Sequence, residues 1–286
     1  MAVSYCTGER ARELVRRPSA LAGAVHLVVA DRVTAEAKAV LGDAGWSWLD
    51  RRGQLHLRGP GVRVDVQVDG LDRATSAQTD PPIAGRSGIT IAHWLCAHPG
   101  RSLSPTRSAP HLRLAPSTIS TSVRRLADAG LLEDDGTGVF PELFWELADA
   151  WPTDRTWLIA SPDPANHTSP DPQAPRWRRT GTAAAAAYGA PVVSTAGGPV
   201  ELYVTGPVEV SIAVRRYGRA VPGTGAAAIA VAPVSEVVTG PGDDHVPVLD
   251  GWLAAPVLAV ALDLAQDRAR GREILNDWSI DDAVWR

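Results

Sequence analysis

Residues 114–140 read LAPSTISTSVRRLADAGLLEDDGTGVF, and this stretch decides how the rest of the chain is parsed. Leu114-Ala115-Pro116 is a short turn. Ser117 is of the N-capping type, and the spacing predicts a helix over 118–129, stopped by Gly130. Ile119, Val123 and Leu126 fall within about 60° of one another on a helical wheel. Ser117, Thr121, Arg124 and Arg125 fall on the opposite side. A helix that buries one narrow aliphatic stripe and shows hydroxyls and guanidinium groups opposite suits insertion into a major groove. Leu131-Leu132-Glu133, the turn Asp134-Asp135-Gly136-Thr137-Gly138 and Val139-Phe140 then predict a small hairpin.

Working outward, Ile89 to Ala97 predicts a helix with Ile89, Ala92, Leu95 and Cys96 along one face. The helix between it and Ser117 is harder to place. Ser104-Pro105 is a good start with proline at N1. Pro110 sits where that helix should continue, at a cost of about 3 kcal/mol in a helix interior. The sequence therefore allows a late start at Ala109-Pro110 behind Ser108, or a kinked helix. Pro141-Glu142 opens another helix through Ala150, and Arg155–Ile159 reads as extended. Three helices followed by a hairpin predict a winged helix-turn-helix over 87–160, with the hairpin as its wing.

The net charge of −4 seems to argue against a nucleic-acid partner, but its distribution does not. No acidic residue lies between Asp80 and Asp128, whereas Arg86, Arg101, Arg107, Arg113, Arg124 and Arg125 do. Screening confines such interactions to about 8–10 Å, so a local basic zone in an acidic protein still attracts phosphate. The alternative is a solvated surface with chance spacing of charge. The wing tip, Asp134-Asp135, carries the wrong sign for a phosphate clamp.

At 286 residues with 45% apolar and 21% charged composition, the chain predicts two or three globular domains. Two cysteines, Cys6 and Cys96, form neither a disulfide framework nor a metal set; the expected compartment is a reducing cytoplasm. Cys96 reads as core filler rather than nucleophile. No apolar run reaches the ~18 residues of a membrane span, and no signal-peptide core precedes the first helix. No membrane partner, no cofactor and no metal are expected.

Residues 1–70 predict a small mixed α/β domain: a helix over 8–17, a buried strand over 24–30, a helix capped by Thr34, and strands over 46–49, 54–58 and 62–68. The turns are Asp50–Gly53 and Gly59-Pro60-Gly61. Asp50 at a strand end and Asp65-Val66-Gln67 within another strand resemble a degenerate restriction-endonuclease-like core. That resemblance implies Mg²⁺ held by the two acids and a lysine orienting water. Here Gln67 stands at the lysine position, and no second lysine is expected nearby. A turn aspartate beside an outward-facing polar pair is the reading preferred. A Mg-dependent nuclease using Asp50, Asp65 and Gln67 is the alternative. Such nuclease-like domains without their chemistry also precede winged helices in bacterial regulators. Residues 71–86 read as a linker.

Residues 161–179 read as a second, proline-rich linker ending in Arg176-Trp177-Arg178-Arg179, which either touches a nucleic-acid backbone or buries its tryptophan. Residues 180–286 predict an α/β domain. Its elements are an alanine-rich helix over 182–188, strands over 200–204, 208–214 and 227–231, an apolar helix over 249–267 and a terminal segment 270–278. Glu273, Asp277, Asp243, Asp244 and His245 read as solvated surface. The series Gly181-Thr182-Ala183-Ala184, Glu201-Leu202-Tyr203-Val204, Val257 to Leu264 and Arg270-Gly271-Arg272-Glu273 resembles the C-terminal domain of AbiEi-family antitoxins. The resemblance spans about 87–280. It implies an autoregulating, DNA-binding antitoxin of a type IV toxin–antitoxin system, a possible toxin partner, and no catalytic residues.

The expectation is therefore an α+β protein, not an enzyme, that represses transcription as a homodimer on double-stranded DNA. Ser117, Thr121, Arg124 and Arg125 would face the groove, with Arg124 or Arg125 reading guanine. Thr118 and Ser120 would meet phosphate at the helix N-terminus. Arg101, Arg107 and Arg113 would contact the backbone. A protein-binding module of antitoxin type is the remaining alternative.

Overall fold

A computed structural model describes residues 2–16, 25–50, 54–67, 81–167, 176–193, 197–239, 246–267, 269–281 and 283–286. The expected turn at 51–53, most of the linker at 71–80, and Asp243, Asp244 and His245 lie outside the described residues. The chain is mixed α/β and forms two compact units, Met1–Pro81 and Pro82–Arg286. Among the described residues no helix is long and apolar enough to cross a membrane.

The first unit runs β1 (Ala2–Cys6), α1 (Gly8–Arg16), β2 (Leu27–Val33), α2 (Ala35–Asp43), β3 (Ser47–Asp50), β4 (Gln54–Gly59) and β5 (Val62–Gln67). The sheet order is β1-β2-β3-β4-β5. The first three strands are parallel, joined by helices, and the last two return as antiparallel hairpins. Thr34 caps α2 by accepting the Ala37 amide, as its sequence position predicts. Ala11, Leu14, Ala37 and Leu41 of the two helices pack on Val28, Ala30 and Trp48 of the sheet. The strand β1 was not among the sequence expectations.

The second unit opens with α3 (Gly85–Ala97), α4 (Pro105–Leu112), α5 (Pro116–Asp128) and α6 (Glu142–Ala150). Pro110 lies inside α4, which starts at Pro105 and is continuous. The bond Pro110 cannot donate would have gone to Thr106, which is exposed and can be hydrated, so the helix tolerates it. Between α5 and α6 the chain makes the expected hairpin, with Leu132 bridged to Gly138 and the Glu133 amide donating to Thr137 O at 2.8 Å.

The remaining elements are β6 (Thr156–Leu158), β7 (Arg178–Arg179), α7 (Gly181–Ala187), β8 (Val200–Val204), α8 (Pro207–Tyr217), β9 (Ala227–Val231), α9 (Glu236–Thr239), the two-stranded β10 (Val248–Leu249) and β11 (Trp252–Leu253), α10 (Val257–Leu264) and α11 (Gly271–Asp277). A four-stranded sheet has the order β6-β9-β8-β7, parallel only between β8 and β9.

Three expectations change here. Residues 208–214 are helix, not strand: Pro207 occupies N1, and Glu209 accepts the Thr205 amide at 2.8 Å across the first turn. The helix expected over 249–267 is confined to Val257–Leu264, because Trp252 and Leu253 are taken by the hairpin with β10. The segments assigned to separate domains share one unit, since β6 from before residue 160 and β7 from the expected linker are both strands of the sheet.

Candidate nucleic-acid interface

The helix α5 begins two residues earlier than its sequence predicts, at Pro116, with Ala115 rather than Ser117 as its N-cap. Proline sets this start: its fixed φ suits N1 and it has no amide to leave unpaired. Ser117 and Thr118 consequently sit in the first helical turn, and no side chain caps their amides. Ile119 and Leu126 are fully buried, while Val123 is half-buried. Ser117, Ser120, Thr121, Arg124 and Arg125 are exposed, and Thr118 is half-exposed. The expected hydroxyl and guanidinium face is thus physically open. Asp128, one turn beyond Arg124, is exposed on the same side and ends the basic face at the C-terminal end of the helix.

One expected contact is pre-empted. The Ser120 hydroxyl donates to Pro116 O at 3.0 Å, so its hydrogen is directed along the helix rather than toward a phosphate. Arg101, Arg107 and Arg113 are all exposed on the segments leading into α5. Arg113 C-caps α4 in the left-handed region at φ 52°, and this single residue turns the chain from α4 toward α5.

The acidic hairpin tip has a structural use. The Asp135 carboxylate accepts both the Thr137 amide at 2.9 Å and its hydroxyl at 2.7 Å, which holds its pKa below the usual carboxylate value. With Gly136 at φ 80°, it closes the turn. Glu133, Asp134 and Asp135 all remain exposed, and so the hairpin carries no basic group of its own.

Behind the open face the helices are anchored on the C-terminal half of the same unit. His93 of α3 is buried and stacks on Trp151, with ring centroids 5.9 Å apart and no hydrogen-bond partner at Nε2. Burial, aided by His98, lowers its pKa to about 4, so the ring is neutral at pH 7. Trp151, which C-caps α6, donates from Nε1 to the Tyr203 hydroxyl at 3.0 Å and to Asp263 at 3.3 Å. Asp263 also accepts from Tyr203 at 2.5 Å, from Arg155 at 2.9 Å and from Thr180. Gln266 donates to Ala148 O at the end of α6 and to Leu262 O on α10, both at 2.9 Å. Arg272 of α11 lies 4.3 Å over the Trp145 ring. Sequence reasoning missed this cluster.

The other expected candidates resolve as follows. Trp177, Arg178 and Arg179 are buried in and beside the β7 edge of the sheet, which makes that basic run part of the core. Cys96 is fully buried and its thiol pKa is pushed up by burial, consistent with core filler. Glu273 and Asp277 are exposed.

In the first unit, Asp50 ends β3 and Asp65 lies on β5, with β4 between them. Asp50 is paired with Gln54 and Asp65 with His56, so the two acids are separated by one intervening strand and staggered by two residues along it. Asp50 is buried, accepts the Val33 amide at 3.3 Å and stands 3.6 Å from Lys38 Nζ. A lysine does therefore reach an acid here, supplied by α2 rather than by the strand. Asp65 faces His56 Nδ1 at 3.2 Å. Gln67 is the residue paired with Gln54 across β4. Among the described residues no group of three His, Cys, Asp or Glu side chains could hold a metal ion.

Comparisons with protein-family models, with curated proteins and with solved structures return no match.

Proposed function

We propose that this chain is a sequence-specific double-stranded DNA-binding transcriptional regulator, a repressor or autoregulator that acts as a dimer, with residues 85–150 serving as a winged helix-turn-helix and α5 entering the major groove. One observation carries the reading. The helix α5 buries Ile119 and Leu126 completely while leaving Ser117, Thr121, Arg124 and Arg125 open to solvent, within a stretch free of acidic residues from 81 to 127.

The roles follow from chemistry. Arg124 and Arg125 offer guanidinium forks of the kind that pair with guanine O6 and N7. The amides of Ser117 and Thr118, at a helix N-terminus with no side-chain cap, suit a phosphate oxygen. Arg101, Arg107 and Arg113 supply sequence-independent backbone contacts. The acidic hairpin stays off the phosphates, leaving recognition to α5 and the arginines before it. The resemblance to AbiEi-family antitoxins adds autoregulation and a toxin partner to the proposal.

The test is selection of double-stranded DNA from a random pool by the full chain, followed by affinity measurement over a salt series. A single enriched motif, lost in the Arg124→Ala/Arg125→Ala double variant, is expected. Enrichment of no motif together with unchanged affinity in that variant refutes the assignment of α5.

A further inference from the structure

The sheet of the first unit ends in an open strand. β5 is last in the order β1-β2-β3-β4-β5, and among the described residues no strand pairs with its outer side. An edge strand presents a row of unpaired N–H and C=O groups, and proteins commonly blunt such edges with proline, lysine or a bulge. β5 carries none of these. It reads Val62-Arg63-Val64-Asp65-Val66-Gln67, and its register with β4 is unbroken from Gly59↔Val62 to Gln54↔Gln67. Its alternating valines also favour extended backbone.

Which residues face the open edge follows from β4. Along an antiparallel strand the backbone groups of successive residues point to opposite sides. The Arg58 amide donates to Ser47 Oγ at 2.9 Å, and that hydroxyl donates to Arg58 O at 3.2 Å, so Arg58 points its backbone at β3. Leu55, Leu57 and Gly59 therefore point theirs at β5, where their partners are Val66, Val64 and Val62. Arg63 and Asp65 are left with amide and carbonyl directed outward, and both residues are exposed.

A second copy of β5, laid antiparallel about a two-fold axis, can use these outward groups. The central registers differ in the charges they bring together. Arg63 opposite Arg63, or Asp65 opposite Asp65, sets like charges directly across, which is destabilising. With Val64 on the axis, Arg63 of each copy lies opposite Asp65 of the other, and those pairs exchange the outward N–H···O bonds. On the other face Val64 meets its own counterpart and Val62 meets Val66. Val62 and Val66 are 48% and 44% exposed in the single chain, so this contact takes aliphatic surface out of water.

The same register relieves a conflict within the chain. Arg63 is paired across the sheet with Arg58, a like charge, and an aspartate from a second copy offsets it. Asp65 already faces His56 Nδ1 at 3.2 Å, and a carboxylate has lone pairs enough to accept a guanidinium as well. We infer that two copies of this chain associate by antiparallel pairing of β5 with β5, Arg63 of each against Asp65 of the other. The contact lies wholly in the first unit and rests on no part of the DNA reading, which concerns the second.

The experiment uses the full chain without DNA. Val64→Cys is expected to form an intermolecular disulfide under mild oxidation, because facing residues of a non-hydrogen-bonded pair have Cα atoms about 4.5 Å apart, within disulfide range. The native Cys6 and Cys96 are buried and do not compete. Val62→Cys alone and Val66→Cys alone should not cross-link, whereas a mixture of the two should. Sedimentation velocity over a concentration series reads the association itself, expected at roughly micromolar concentrations or above for so small an interface. Arg63→Asp alone and Asp65→Arg alone each place like charges in register and should weaken it by about tenfold or more. Mixing those two variants sets aspartate against arginine throughout and should restore it, as should the exchange Arg63→Asp/Asp65→Arg in one chain. Circular dichroism and thermal unfolding check that every variant is folded. The inference is overturned if the chain stays monomeric up to about 0.5 mM, if folded Val64→Cys does not cross-link, or if association is indifferent to the charge reversals. None of these results alters the DNA selection, so the two readings fail separately.

Discussion

His93 makes a quantitative prediction about pH. Its ring is buried, its Nε2 lacks a partner, and its pKa is lowered from 6.5 to about 4. Above pH 6.5 neither the folded nor the unfolded chain protonates this residue, and nothing is lost. As the pH falls through 6.5 the unfolded chain takes up a proton that the folded chain refuses until about pH 4. Stability therefore declines across that window. One pKa unit is about 1.36 kcal/mol, so at pH 4.5 the loss from this residue is about 2.5 kcal/mol. His93→Phe removes the titration and keeps an aromatic ring against Trp151. Urea unfolding of both proteins, followed by far-UV circular dichroism from pH 7.5 to 4.5, should give stability curves that diverge by that amount in favour of the variant at acid pH. Other titrating groups, such as Glu201 with its raised pKa, are common to both proteins and cancel in the difference. Parallel curves would refute the argument that a neutral ring is required between α3 and Trp151.

Other perturbations separate recognition from folding. Arg125→Ala should cost about 1–3 kcal/mol in DNA affinity and relax specificity at one position if the residue reads a base; a uniform loss with a shallower salt slope assigns it to phosphate. Arg113→Gly should stabilise the chain by a few tenths to about 1 kcal/mol, because it relieves a left-handed φ of 52°, while weakening DNA binding. Thermal unfolding and a binding titration on the same preparation must then move in opposite directions. Asp263→Asn leaves Arg155 with only the longer ion pair to Glu201 and should destabilise the second unit by about 3 kcal/mol, read as a lowered urea midpoint. Gly181→Ala should lower the Tm, since both the positive φ and the Glu201 carboxylate oppose a Cβ.

Local signals were legible where one physical effect governed the backbone. Thr34 before an acidic first turn gave α2, and the alternation of Val62, Val64 and Val66 with polar residues gave β5. The open and buried faces of α5 followed from its period, although Pro116 rather than Ser117 set its start. Residues 208–214 show how a period misleads. Val208, Val210, Ile212 and Val214 alternate as in a strand. Val210, Ala213, Val214 and Tyr217 also recur as on a helix, and those four are the ones that meet the core. Val208 and Ile212, which completed the strand pattern, are 69% and 46% exposed. The Asp263 cluster left no trace at all. Its donors come from Trp151, Arg155, Thr180 and Tyr203, and no local spacing links residues so far apart in the chain.

That cluster changes what kind of object would meet DNA. A three-helix reader on a slack tether can rotate to suit operators whose half-sites are variously spaced. Here α6 is tied to α10 through Gln266 and Asp263 and to α11 through Arg272, with no tether between them. In a pair of copies, the distance between the two reading helices would then be a property of the protein body, as fixed as the gap between the jaws of a gauge. Operators for such a pair would tolerate base changes at uncontacted positions far better than the insertion of one or two base pairs between their halves.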